Sequence, residues 1–184
     1  MKKLVYGIVA LAITIGFTGC SKHEPAPKIA KLNVKFVDSK WDGITVPSDE
    51  VCGDYNKKGA NSPKLLINNL PSTTNKIILI FNDDSFEQMR NGGHGIVSYE
   101  VTEGTKSIEV PSVPSETFNL PTNFKVVKAH GGTPWGKTAG AYLAPCSGGR
   151  GNSYSMRVEA IHDFNSEEKK PSLLGDAHLK MGIY

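Results

Sequence analysis

Three sets of residues have types and spacing that could do chemistry. Gly131-Gly132-Thr133-Pro134-Trp135-Gly136-Lys137-Thr138 satisfies the phosphate-loop expression G-x-x-x-x-G-K-[ST]. Such a loop cradles phosphates only where it opens a helix whose N-terminal amides face them. Here the following segment, Ala139 to Gly149, holds three glycines and a proline and has no helical periodicity, so nucleotide binding is not expected. No serine sits in a G-x-S-x-G elbow, and no carboxylate pair has a spacing that marks a hydrolase. No CxxC or HxxxH spacing accompanies the cysteines, so neither a metal nor another cofactor is expected. A histidine with an aspartate could serve acid–base chemistry, but a binding pocket needs the same residues. The expectation is therefore a binding protein and not an enzyme.

The N-terminus carries a second chemistry. Met1-Lys2-Lys3 is basic, Leu4 to Phe17 is an apolar run of fourteen residues, and Thr18-Gly19-Cys20 comes directly behind it. A spanning helix needs about 20 apolar residues, so the run reads as an export signal. The small residues before Cys20 resemble a bacterial lipobox, whose cysteine is acylated and becomes the new N-terminus, although Phe17 stands where an aliphatic residue is usual. More than one acyl chain gives stable anchoring. The expected organisation is a signal peptide over 1–19, a lipid-anchored tether over 20–30 and one domain over 31–184. Ser21 in place of aspartate points to the outer membrane of the bacterial cell envelope, facing the periplasm.

Three cysteines are odd, but with Cys20 acylated, Cys52 and Cys146 remain in an oxidising compartment. They read as one disulfide, with two buried free thiols as the alternative. Lys2 and Lys3 account for two of the 21 basic residues, leaving 19 against 18 acidic ones. A nearly neutral domain is poor material for gripping a phosphate backbone, so nucleic acid is not an expected partner.

The elements that must position any site are mostly strands. Leu32, Val34 and Phe36 alternate with polar neighbours, and Ile77 to Phe81 is a continuous apolar run suited to a central strand. Gly95 to Val101, Ser107 to Val110 and Ser153 to Ile161 are further strands, the last with Tyr154, Met156, Val158 and Ala160 on one face. A helix is expected around Asn165 to His178, where Asn165 or Ser166 could cap and Glu167 and Glu168 fill the first turn. The fold class is mostly β, a sandwich with one or two short helices.

Over most of the mature chain an ordered set of motifs recurs. Gly59-Ala60-Asn61-Ser62-Pro63 is followed by Leu70-Pro71 and by a strand ending in Asn82-Asp83-Asp84. His94 precedes Ile96-Val97, then come Gly140 to Cys146, Asn152-Ser153-Tyr154, and a close in Ala177-His178-Leu179 and Gly182-Ile183-Tyr184. From about Val46 to Tyr184, some three quarters of the chain, this resembles the bacterial branch of the phosphatidylethanolamine-binding protein family, the Raf kinase inhibitor-like proteins.

The resemblance implies a β-sandwich with a small pocket for phosphate-like anions. It assigns Asp83 and His94 to the pocket, Pro145 to its wall segment, Asn152 to the place of a second histidine and Tyr154 to the tyrosine behind it. Cys52 and Cys146 match cysteines of bacterial relatives, which supports pairing them. A charged histidine could give both ring protons to an anion, with the carboxylate favouring that form. Ser85 replaces the second aspartate, Phe86 and Glu87 replace Ala-Pro, and Gly93 and Gly95 replace residues that are often aromatic. Losing one ionisable donor weakens phosphate binding, which opens the pocket to a neutral or zwitterionic ligand. Two functions stand as expectations: a lipid-anchored pocket for a small anionic or zwitterionic head group, or an inhibitor-like module that binds a protein partner and keeps a degenerate pocket.

Overall fold

The computed structural model describes residues 28–132 and 139–184. The expected signal segment, Cys20 and residues 133–138 of the phosphate-loop-like string lie outside the described residues. The elements are β1 (Ala30–Lys31), β2 (Asn33–Phe36), β3 (Leu65–Asn68), β4 (Lys76–Asp83), β5 (Ile96–Glu100), β6 (Ser107–Val110), β7 (Phe124–Lys128), β8 (Ser153–His162) and β9 (Ser172–Ile183). One 3-10 turn, Glu87–Met89, is the helical element among the described residues.

The strands form two sheets, one ordered β1-β9-β8-β4-β5-β7 and one ordered β2-β3-β6. All neighbours are antiparallel except β1, which runs parallel to β9. Leu65, Ile67 and Val110 of the small sheet share one core with Ile77, Leu79, Phe81, Val97, Met156 and Val158 of the large one. This is the mostly β sandwich that the alternation implies. Each buried Leu, Ile or Phe contributes roughly 1.5–3 kcal/mol. β4, flanked by β8 and β5, is the central apolar strand, while on β8 Tyr154, Met156, Val158 and Ala160 are all buried, as their period of two requires.

The expected helix over Asn165 to His178 is not formed. Residues 172–183 are strand β9, paired with β8 from Ser172 opposite His162 to Ile183 opposite Ser153. Gly175, Ala177, Leu179 and Met181 turn inward, while Asp176, His178 and Lys180 are exposed. That two-residue period, satisfied by a long ladder, overrides the helix-like opening. The cap-like residues close isolated turns instead: Asn165 N–H donates to Asp163 Oδ1 at 3.0 Å and Glu168 N–H to Ser166 Oγ at 3.2 Å. No helix among the described residues is long and apolar enough to cross a membrane.

Candidate functional site

The site is built where β4 ends and β8 begins. Antiparallel register sets Asp83 directly opposite Tyr154. The chain then turns back on itself: Asn82 Oδ1 accepts from Gly92 N–H at 2.8 Å, Phe81 N–H donates to Gly95 O at 3.0 Å, and His94 N–H donates to Phe81 O at 3.2 Å. This brings His94 beside the strand end, its ring edge-on to the Tyr154 ring with centroids 5.3 Å apart. A buried segment, Ala141 to Pro145, passes behind it. Leu143 N–H donates to His94 O at 2.9 Å, and His94 Nδ1 lies 2.7 Å from Leu143 O. Gly95 makes that approach possible. Its φ is +111°, and a Cβ there would lie 2.0 Å from Ala141 O.

These residues border a cavity of about 340 Å³. Asp83 is 4% exposed and His94 3%. Asp83 Oδ2 accepts from Asn152 Nδ2 at 2.7 Å and Oδ1 from Ser85 N–H at 2.9 Å. Asn152, standing where the family pattern has a histidine, thus holds the carboxylate with an uncharged donor. The Tyr154 hydroxyl accepts from Cys146 N–H at 3.1 Å. Burial pushes its pKa up to about 12, assisted by the Asp83 charge, so it remains an O–H donor across the physiological range.

His94 behaves differently from the charged donor expected. Burial pushes its pKa down to about 4; the Leu143 carbonyl and Asp83 pull it up, but by less, and His130 pushes it further down. Near neutral pH the ring is uncharged, its Nδ1–H directed to Leu143 O and Nε2 left with a lone pair. Burial outweighs the carboxylate, which sequence alone cannot weigh.

The structure brings Asp83, His94, Asn152 and Tyr154 to one cavity and leaves Pro145 out of its lining. Pro145 is buried, and its carbonyl accepts from Cys52 N–H at 3.0 Å. The disulfide Cys52–Cys146 is formed across 94 residues with Cα atoms 5.2 Å apart, and Cys146 itself borders the cavity. Glu87 is exposed in the 3-10 turn and does not border the cavity, so it adds no repelling charge to the lining. Phe86, 38% exposed, and the buried Met89 give the cavity apolar wall. Sequence reasoning missed Met89, Ser147 and Arg150. Arg150 sits in Ser147-Gly148-Gly149-Arg150-Gly151, a run with no strand or helix period, so its place just ahead of Asn152 is the one signal that could have found it. No group of three or more His, Cys, Asp or Glu residues among those described is placed to hold a metal ion.

No protein-family model and no curated protein matches the chain. Among solved structures, the chain is similar to a protein described as a phosphatidylethanolamine-binding protein homologue from Chlamydia trachomatis, at 18% sequence identity and a TM-score of 0.48, over 84% of this chain and 97% of that one.

Proposed function

We propose that this chain is a cell-envelope binding protein, held to the outer membrane through lipid on Cys20, whose pocket takes a small polar ligand carrying a phosphate or comparable head group. The observation that carries this reading is the open cavity at the β4–β8 junction, bordered by Asp83, His94, Asn152 and Tyr154. The Tyr154 O–H and the exposed Arg150 supply donors; Asp83 and His94 Nε2 supply acceptors. Binding fits the site better than turnover. A general base works best with a pKa near the operating pH, and His94 at about 4 is far below it. Tyr154, raised to about 12, is no activated nucleophile.

The pocket is tested by titrating the full chain, in a mild detergent, with phosphoethanolamine. Saturable binding that weakens about tenfold or more in His94→Ala is expected. Equal affinity in variant and parent would remove His94 from the site, and no binding at millimolar concentration would favour the protein-interaction reading. The anchor is tested separately: Cys20→Ser should shift the protein from the membrane to the soluble fraction and abolish acyl mass on the mature N-terminus.

A further inference from the structure

The outer edge of β9 is covered at two places and bare between them. At the first, β1 runs parallel to it with Lys31 opposite Asp176, and Leu32 N–H donates to Asp176 O at 2.9 Å. The chain then leaves the large sheet at the buried Leu32 and enters β2 of the small one. It returns at Gly43, where a Cβ would lie 3.1 Å from Lys180 O, and pairs again at Ile183, whose N–H donates to Ile44 O at 2.9 Å. Backbone groups of a strand alternate between its two edges. The register with β8 is unbroken from Asp176 to Lys180, and Asp176 O faces outward, so His178 N–H, His178 C=O and Lys180 N–H face outward too. Among the described residues no backbone partner outside the strands meets any of the three.

The bare stretch is also the lip of a groove between the two sheets. A cavity of about 430 Å³ is bordered by Leu32 and Val34 on one side and by Ala177 and Leu179 on the other. Val34, Ala177 and Leu179 are half-buried, so the groove is lined with apolar surface. On the opposite face of the edge Lys31 and Lys180 are exposed, and neither has an ion pair among the described residues. Lysines on an open edge discourage pairing with neutral or basic strands. The same charges favour a strand that carries acidic groups at alternate positions. A second copy of this chain offers no such strand. Its edge strand β7 carries Lys125 and Lys128, and Glu109 of edge strand β6 is paired with Lys64.

We propose that this edge of β9 is a docking site for an extended, acidic segment of a partner protein, which adds as a short strand between β1 and Gly43. At about 3.3 Å per residue, the stretch from Ala177 to Lys180 takes a strand of about four residues. Its side chains alternate: apolar ones enter the groove against Leu32, Val34 and Leu179, and acidic ones lie outward beside Lys31 and Lys180. The three unpaired backbone groups hold the main chain of any such segment, while the groove and the lysines select its sequence. The site lies apart from the cavity at the β4–β8 junction and does not depend on the function proposed for it.

The test is amide hydrogen exchange, read by NMR on the full chain in mild detergent. In the free protein the His178 and Lys180 amides should exchange about 100-fold or more faster than those of Ala177 and Leu179, which face β8. The end-blocked peptide Glu-Val-Glu-Val-Glu should saturably slow exchange at His178 and Lys180, and Lys-Val-Lys-Val-Lys should not. Lys31→Glu combined with Lys180→Glu, at two exposed positions that do not threaten the fold, should weaken the acidic peptide about tenfold and admit the basic one. N-methylation of the peptide amides should abolish binding. His178 and Lys180 amides as protected as their neighbours in the free, dilute protein would show a closed edge and overturn the proposal. Protection that grows with protein concentration alone, with dimers in sedimentation, would assign the edge to a second copy and overturn the choice of partner. Acidic-peptide binding that ignores N-methylation and charge reversal, or no binding at millimolar peptide, would overturn it as well. None of these results bears on phosphoethanolamine binding, so the two proposals fail separately.

Discussion

The floor and the rim of the cavity are built by opposite means. The floor is sheet: Asp83 and Tyr154 face each other because the β4–β8 ladder registers them, and His94 is locked by reciprocal hydrogen bonds with Leu143. The rim around Arg150 is a glycine-rich run, exposed from Gly148 to Gly151, with left-handed backbone at Gly148, Gly149 and Gly151. The difference teaches two ways of bringing side chains to one cavity: by register and packing at the floor, and by an exposed glycine-rich loop at the rim.

The comparison breaks most severely at the join between the two regions. The Cys52–Cys146 disulfide closes a separation of 94 residues, and its chain-entropy contribution is about 4–5 kcal/mol. The double serine variant should lose stability of that order in urea unfolding, and probe binding should weaken with it because Cys146 borders the cavity. Retained stability with lost binding would mean the bridge serves the rim alone.

Glycine substitutions sharpen the contrast next. Gly95→Ala puts a Cβ 2.0 Å from Ala141 O in left-handed backbone, and a cost of about 3 kcal/mol is expected in the unfolding midpoint. Gly149→Ala also meets a positive φ, +75°, but its Cβ enters open space, so about 1 kcal/mol is expected. Equal costs at the two positions would erase the distinction between floor and rim.

The pH dependence comes from His94. Its folded pKa, about 4, lies below the unfolded value near 6.5, so the unfolded chain binds more protons between them. Stability from the neutral buried ring is therefore present above about pH 6.5 and is lost as pH falls toward 4. The stability difference between parent and His94→Gln should shrink by about 2–3 kcal/mol between pH 7.5 and 4.5. A difference constant with pH would place the imidazole in solvent.

The smallest effect expected is at the Tyr154 hydroxyl. Tyr154→Phe removes the acceptor for Cys146 N–H at a cost of about 1 kcal/mol, read from urea unfolding, with no change in secondary structure.

Much of this architecture is legible in the residues, and the exceptions have physical reasons. Strands with one buried face, such as β8, announce themselves by a period of two. β7 does not, because it is an edge strand whose last four residues are all exposed. The cap-like Asn165 and Ser166 ahead of β9 disguise it as a helix; they form turns locally, while the ladder to β8 decides the conformation of residues 172–183. Within the site, Asp83, His94, Asn152 and Tyr154 could be nominated from ordered motifs, yet the protonation of His94 depends on burial and not on spacing. Arg150 belongs to a loop, where position owes nothing to periodicity, and only the fold brings it to the cavity.

The most direct test is the imidazole nitrogen spectrum of His94 in the full chain, recorded by long-range proton–nitrogen NMR at pH 6.5 before and after adding phosphoethanolamine. A neutral ring with its proton on Nδ1 in the free protein, and a saturable shift of Nε2 on addition, is the predicted result. A charged imidazolium in the free protein, or a spectrum unmoved at millimolar probe, would contradict a pocket whose buried floor binds a polar head group.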